Sequence, residues 1–360
     1  MESRLSCYDG RPDRRLAGIG LPRGVHPADT SSQEAALEEV PAHCLGKADR
    51  LLEQGIEQQK AHQFEAALQS FQQALNLYTE LQDRQGIGRV LSGLGLTAYM
   101  LGDFPTAIEH ASKSLAIARE IQDQRLEAQV LGIIGNAYRH LGDHANAIAE
   151  GEKSLNLLRQ LEDQAGEVVA LNNLGLAYKA MGDLPNAIAY QKQSLEIAQT
   201  LDDRQTQEQI LRNLGNACYA LGDYAQAIDY YKQRAAIAKE LGDYRLEGQI
   251  LRNLSNACYA LGDYAQAIEY AQARLLAAEK MGDRRSQEQA LGSLGVAYDA
   301  LGDYARAVEY YEQRLSVARS IPDARVEARV LGSLKVACYA LGDYAKVIEY
   351  HEQSLALRNR

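Results

Sequence analysis

The chain has 360 residues, a formal net charge of −10 and 46% hydrophobic residues. That apolar content suffices for a folded core and excludes wholesale disorder, and the acidic surplus excludes the usual electrostatics of a nucleic-acid binder. No run of roughly 18 apolar residues is present, so no membrane span is expected, and cysteines without a CxxC pair point to a reducing, cytoplasmic compartment.

Residues 1–41 hold four of the seven prolines, Pro12, Pro22, Pro27 and Pro41, with several glycines. They read as a flexible, largely disordered leader, with a short helix from Ser31, where Ser31 and Glu34 have capping-box spacing. The apolar stretch Leu16–Leu21 is short and broken by glycine, so no secretory segment is expected.

Residues 44–360 are built on one 40-residue period. Gly-Asp pairs recur at Gly102-Asp103, Gly142-Asp143, Gly182-Asp183, Gly222-Asp223, Gly262-Asp263, Gly302-Asp303 and Gly342-Asp343. A second aspartate series interleaves, from Asp83 through Asp323, and a divergent copy lies upstream around His62-Gln63-Phe64, which makes eight units. Within a unit the apolar spacing is helical: Ile210, Leu211, Leu214, Ala217, Cys218 and Leu221 share one face, as do Tyr224, Ala227, Ile228, Tyr231, Ala235 and Ala238. The glycine of the turn suits a left-handed helix end and the aspartate suits the cap of the next helix. Each unit is thus a hairpin of two helices of roughly 15–17 residues. One hairpin cannot bury both faces, and stacked copies can.

The unit "LGNAYRHLGDHANAIAEGEKSL" resembles a tetratricopeptide repeat, with apolar-Gly-x-x-Tyr on the first helix and a small-residue column on the second (Ala67, Ala107, Ala147, Ala187, Ala227, Ala267, Ala307). At 40 residues the unit is longer than the family's usual repeat and similar to the arrays of Pins/LGN adaptors, kinesin light chains and bacterial CHAT-associated proteins. The resemblance implies an all-α, right-handed α-solenoid of about eight helix-turn-helix units whose first helices line a concave surface. One tyrosine per unit alternates between two adjacent sites. Tyr138, Tyr178 and Tyr298 take the first, and Tyr99, Tyr219, Tyr259 and Tyr339 the second. The first is expected in the core and the second in the groove.

On the expected groove side, Gln209, Arg212, Asn216 and Tyr219 fall within one arc, and the next unit repeats them as Gln249, Arg252, Asn256 and Tyr259. Asn213 and Asn253 lie beside them. Upstream the same columns supply Gln129, Asn136 and Arg139, then Asn172 and Lys179 with Asn173 adjacent, and Arg89 and Arg329 occupy the first column near the two ends. These columns carry six positive charges against Asp299 alone, so a positive lane on an acidic body is expected. Asparagine offers a donor and an acceptor to an extended backbone, arginine forks onto carboxylates, and tyrosine adds rigid contact area. The Arg-x-x-x-Asn spacing resembles the carboxylate clamps and asparagine ladders of peptide-binding tetratricopeptide proteins.

Nothing assembles a catalytic site. His140 and His144 flank a turn and share no helix face, the cysteines Cys218, Cys258 and Cys338 sit in one inward column, and Gly18–Gly24 lacks the Gly-Lys-Ser/Thr of a phosphate loop. No metal or cofactor is expected. The expected function is that of a non-enzymatic scaffold or adaptor that binds an extended acidic peptide of a partner protein, with no nucleic-acid or membrane partner. The alternative is a regulatory or self-assembly module of a larger signalling protein whose effector domain is absent from this chain. In that reading the C-terminal helix, which has no polar capping helix after it, pairs with a second copy to form a homodimer.

Overall fold

The structure is a computed structural model that describes residues 35–358 apart from 243 and 322. Sixteen α-helices and no strand occur among the described residues. The chain divides into two compact units, Met1–Leu201 and Asp202–Arg360. The first holds α1 (Ala35–Lys60), α2 (Phe64–Glu80), α3 (Arg84–Leu101), α4 (Phe104–Glu120), α5 (Gln124–Leu141), α6 (His144–Gln160), α7 (Gln164–Met181) and α8 (Leu184–Thr200). The second holds α9 (Arg204–Leu221), α10 (Tyr224–Leu241), α11 (Tyr244–Leu261), α12 (Tyr264–Met281), α13 (Arg284–Ala300), α14 (Tyr304–Arg319), α15 (Ala324–Leu341) and α16 (Tyr344–Arg358). The architecture is the expected all-α solenoid of helical hairpins. Most of the expected leader, including the capping box at Ser31, lies outside the described residues, and α1 takes in residues 35–41.

Each Gly-Asp turn uses its aspartate twice, whereas the first hairpin turns at Gln63 with no side-chain cap. The N–H of Asp103 donates to the Ala98 carbonyl and that of Gly102 to the Tyr99 carbonyl, both at 3.0 Å, which closes the end of α3. Gly102 sits at φ 84°, where glycine has no Cβ penalty. The Asp103 carboxylate then accepts the Thr106 N–H at 3.2 Å and starts α4. Three residues therefore reverse the chain with their backbone groups satisfied.

Inside a hairpin the two helices cross at a small residue. A Cβ on Gly95 would lie 3.2 Å from the Ala107 carbonyl oxygen and the Ala111 nitrogen, so glycine sets how closely the backbones approach. The residue that meets this position varies, with Ala111, Gly151 and Gln191 facing glycine in the first unit and larger rings in the second. Gly215 and Gly295 leave room for the rings of Tyr231 and Tyr311, which a Cβ would strike. Ser255 takes the glycine's place where the opposing residue is Ala271, and its hydroxyl donates to the Ala267 carbonyl at 3.0 Å. The substitution of Gly215 by Ser255 between two nearly identical units is thus one half of a compensated pair.

A second covarying pair, 26 residues apart, joins the first helix to the second. Ser114, Ser154 and Ser194 are buried and donate to the carbonyls of Gly88, Ala128 and Val168 at 2.7–2.8 Å. In the first three hairpins of the second unit arginine replaces serine, which returns at Ser354. Arg234 is buried and donates to Glu208 at 2.6 Å, and Arg314 lies 2.6 Å from Glu288. Burial pulls the Arg234 guanidinium below its usual range, which Glu208 opposes.

Within the first unit α1 touches α3, α3 touches α5 and α5 touches α7, and within the second α11 touches α13; no pair of second helices comes as close. First helices therefore form the inner wall of each curved stack. Gly215→Ser is expected to destabilise the chain by about 1–3 kcal/mol through overpacking against Tyr231. Adding Tyr231→Ala should rebuild the Ser255–Ala271 arrangement, so that urea denaturation shows a favourable coupling of at least ~1 kcal/mol between the two changes.

Candidate functional site

The expected contact residues all lie on first helices, but the packing divides them. In the first unit Asn136 is buried, and Asn173 is half-buried. With Gln129 they edge a cleft of about 260 Å³ walled by Leu96, Ile133, Leu158 and Val169. Gly132 leaves this space open, since a Cβ there would meet only the Ser154 hydroxyl, at 3.8 Å. Arg125, which the sequence columns do not include, stands at the same cleft from the first turn of α5. Asp163 lines the same cleft, and an apolar hollow with a few converging amides and one charge of each sign has the composition of a ligand site. Asn172 and Lys179 are half-buried and interact within the chain.

Arg139 is also half-buried, its Nη2 3.0 Å from Nε2 of His140 and its Nε buried with no partner. The His140 ring stacks on Phe104 at 4.6 Å between centroids and meets the Tyr99 hydroxyl at 3.1 Å. Burial, reinforced by the Arg139 charge, pushes His140 down to about 4. This contact limits the reading of Tyr99 as a groove residue: it borders the same cleft but is 1% exposed, because His140 and Phe104 cover it. It also gives His140 a packing role, separate from His144 at the start of α6. No group of three or more His, Cys, Asp or Glu residues that could hold a metal ion occurs among the described residues.

In the second unit Gln209, Arg212 and Tyr219 are half-buried along α9. Two expected contacts on that helix turn inward. Asn213 is buried, since its position faces the neighbouring helix rather than the wall, and Asn216 accepts the Tyr231 hydroxyl proton at 2.8 Å. Asn216 is thereby committed to its own hairpin. On α11, Gln249, Arg252, Asn256 and Tyr259 are exposed and Asn253 is half-buried. Gln249 and Arg252 border a cleft of about 1350 Å³ between α11, α12 and the start of α13, which also takes in Arg274. The two expected end positions differ: Arg89 is half-buried with its Nε buried and unpartnered, and Arg329 is exposed.

Of the tyrosines expected in the core, Tyr298 is buried and Tyr138 and Tyr178 are half-buried. Tyr178 and Tyr298 pack against Tyr190 and Tyr310 of their second helices at 5.2 and 5.3 Å, whereas Tyr219, Tyr259 and Tyr339 meet Tyr224, Tyr264 and Tyr344 beyond the turn. Cys218, Cys258 and Cys338 fill the vacated inner site and are buried. Burial pushes the Cys258 thiol up to about 11, which makes it a poor nucleophile.

A model of the tetratricopeptide repeat matches residues 52–120, 126–200, 206–280 and 286–360. The chain belongs to the tetratricopeptide repeat family. No curated protein matches the sequence. Among solved structures, the fold is similar to a STAND ATPase with a tetratricopeptide repeat sensor from Pyrococcus horikoshii (16% identity, TM-score 0.62). That match covers 91% of this chain and 53% of the other, so this chain spans about half the length of that protein. The apo form of RapI is similar at 14% identity and a TM-score of 0.55, covering 76% of this chain and 97% of that one. The apo quorum sensor NprR of B. thuringiensis is similar at 16% identity and a TM-score of 0.54, covering 90% and 93%. At these identities the likeness is one of fold. No helix among the described residues is long and apolar enough to cross a membrane.

Because His140 binds its proton more weakly when folded than the ordinary value of 6.5, its contribution to stability is complete above that value and is lost as the pH falls toward about 4. Replacing His140 by Phe should remove part of the acid-induced loss of stability between those limits, measured as the difference between wild-type and variant denaturation midpoints across pH.

Proposed function

We propose that the chain is a non-enzymatic interaction scaffold of the tetratricopeptide type that holds an extended acidic segment of a partner protein against its first helices. The observation that carries this reading is the exposed strip of Gln249, Arg252, Asn256 and Tyr259 on α11. Arg252 has no ion pair or hydrogen bond to any described residue, so its charge is available to a ligand. The strip combines a cation, two amides and a rigid aromatic at helical spacing, while the whole chain is −10. Such a local reversal of sign steers acidic segments inward and repels basic ones. Arg212 and Tyr219 supply the corresponding groups on α9, Gln129, Asn136, Arg139, Asn172, Asn173 and Lys179 serve the first unit, and Asn213 and Asn216 act by positioning the wall. The likeness of the fold to the quorum sensor NprR supports a role in recognition.

The double variant Arg212→Glu/Arg252→Glu tests the reading. Against a fluorescent acidic peptide and its counterpart with Asn and Gln for Asp and Glu, wild type should favour the acidic one by about tenfold, and the variant should reverse the preference with its circular dichroism unchanged. Equal affinity of wild type for both peptides would defeat the reading.

A second reading is self-assembly through the last hairpin, where Val336, Tyr339, Tyr344, Ile348 and Leu355 are 45–67% exposed. Such a run of exposed apolar side chains marks an association surface. Light scattering should then give a dimer that Ile348→Lys/Leu355→Lys converts to a monomer, and a wild-type monomer at ~100 μM would exclude this reading.

A further inference from the structure

The second unit contains three buried or nearly buried arginines at one repeat position, Arg234, Arg274 and Arg314. Two of them have a glutamate exactly one contact away, 26 residues earlier on the preceding first helix: Glu208 and Glu288. For Arg274 the residue 26 positions earlier is Gly248. Arg274 is 6% exposed and makes no ion pair with any described residue; its one hydrogen bond to a described residue is from Nη2 to the Gln289 Oε1 at 2.6 Å. A Cβ built on Gly248 meets nothing within 4 Å, so the volume that a glutamate side chain fills in the flanking hairpins is open here. That volume belongs to the cleft of about 1350 Å³ bordered by Gly248, Arg252, Arg274, Ser286 and Gln289.

The other charges around the guanidinium do not replace the missing partner. Arg252 adds a second positive charge, and burial together with Arg252 pulls Arg274 down to about 10. Asp283 and Glu288 pull the other way, but Glu288 is bound to Arg314 and Asp283 caps α13 by accepting the Arg285 and Ser286 N–H groups. Glu247 and Lys280 also border the cleft, and both are exposed. A buried guanidinium without a carboxylate is unfavourable, and a guest that supplies one relieves that cost while gaining charge-assisted hydrogen bonds.

We propose that this cleft is a carboxylate-binding site, in which the acid group of a guest stands beside Arg274 and Arg252 where Glu208 and Glu288 stand beside Arg234 and Arg314. The chemical class of the ligand is a carboxylic acid on a short aliphatic arm, presented by an acidic side chain of a peptide or by a free small acid. It shares Arg252 and the sign of the ligand with the acidic-segment reading, but it rests on Arg274 and Gly248, which that reading does not use, and a free acid fits the cleft without any peptide on the inner wall.

Propionate is the glutamate side chain that Gly248 lacks, and it is the probe. At about 100 mM, against sodium chloride of equal ionic strength, propionate should raise the melting temperature of wild type by roughly 2–5 °C, and neutral propionamide should leave it unchanged. Gly248→Glu should melt higher than Gly248→Gln, which matches it in shape and helix propensity, and should no longer respond to propionate. Arg274→Gln, a second and independent variant, should also lose the response. A glutamyl tripeptide with blocked ends and glutarate, compared at equal concentration, separate the two sources: the stronger stabiliser identifies a peptide side chain or a free acid as the guest. The proposal is overturned if propionate acts no more strongly than propionamide on wild type, or if Gly248→Glu is no more stable than Gly248→Gln. Arg274→Gln leaves Arg212, Arg252 and the rest of the inner-wall strip in place, so loss of the propionate response with acidic-peptide binding retained separates the cleft from the wall.

Discussion

The distance between the two helices of each hairpin is the constraint on which the rest depends. It is set by contact between the backbone of the first helix and a small residue of the second, as at Gly95 with Ala107 and Ala111. Once the backbones are this close, a ring on one side needs glycine opposite, because packed interiors do not absorb extra methylenes cheaply. Gly215 with Tyr231, Ser255 with Ala271 and Gly295 with Tyr311 are three solutions of the same packing equation. The turns hold the hairpins at this spacing by giving each aspartate both a backbone and a side-chain task.

Fixed spacing makes the repeats internal controls for one another. In the first unit the second polar contact is a neutral serine–carbonyl hydrogen bond, which can be buried at little cost. In two hairpins of the second unit it is an arginine–glutamate pair, whose desolvation is repaid only while both partners are present. Removing one partner therefore changes the character of a hairpin from a structural element to a receptive one. Gly248 does this in the one hairpin where Arg274 remains. The same logic separates the expected groove residues. Side chains such as Asn216 complete a hairpin, as its bond to Tyr231 shows, while those of α11 look outward to solvent.

Much of this was legible in the order of residues. The 40-residue period, the Gly-Asp turns and the helical spacing of apolar residues determine the hairpin and its repetition, because they are local properties of helix ends and helix faces. The amide and cation columns were legible too, as was the core position of Cys218, Cys258 and Cys338. Tyr99 shows where that reading stops: a helical wheel places it with Tyr219, yet His140 from the following hairpin buries it. Arg125 escaped because it lies outside the columns, and it reaches the cleft only because Gly132 keeps the space open.

The sequence by itself thus determined which segments are helices, where they turn and which of their faces are apolar, since each of these follows from side chains within a few residues of one another. Only the tertiary structure decided which polar groups on those faces are spent inside the protein and which remain for a ligand. That decision depends on contacts 16, 26 and 41 residues apart, such as Gly215–Tyr231, Glu208–Arg234 and Tyr99–His140. A charge or hydroxyl has no fixed meaning until the opposing helix either supplies its partner or leaves a space.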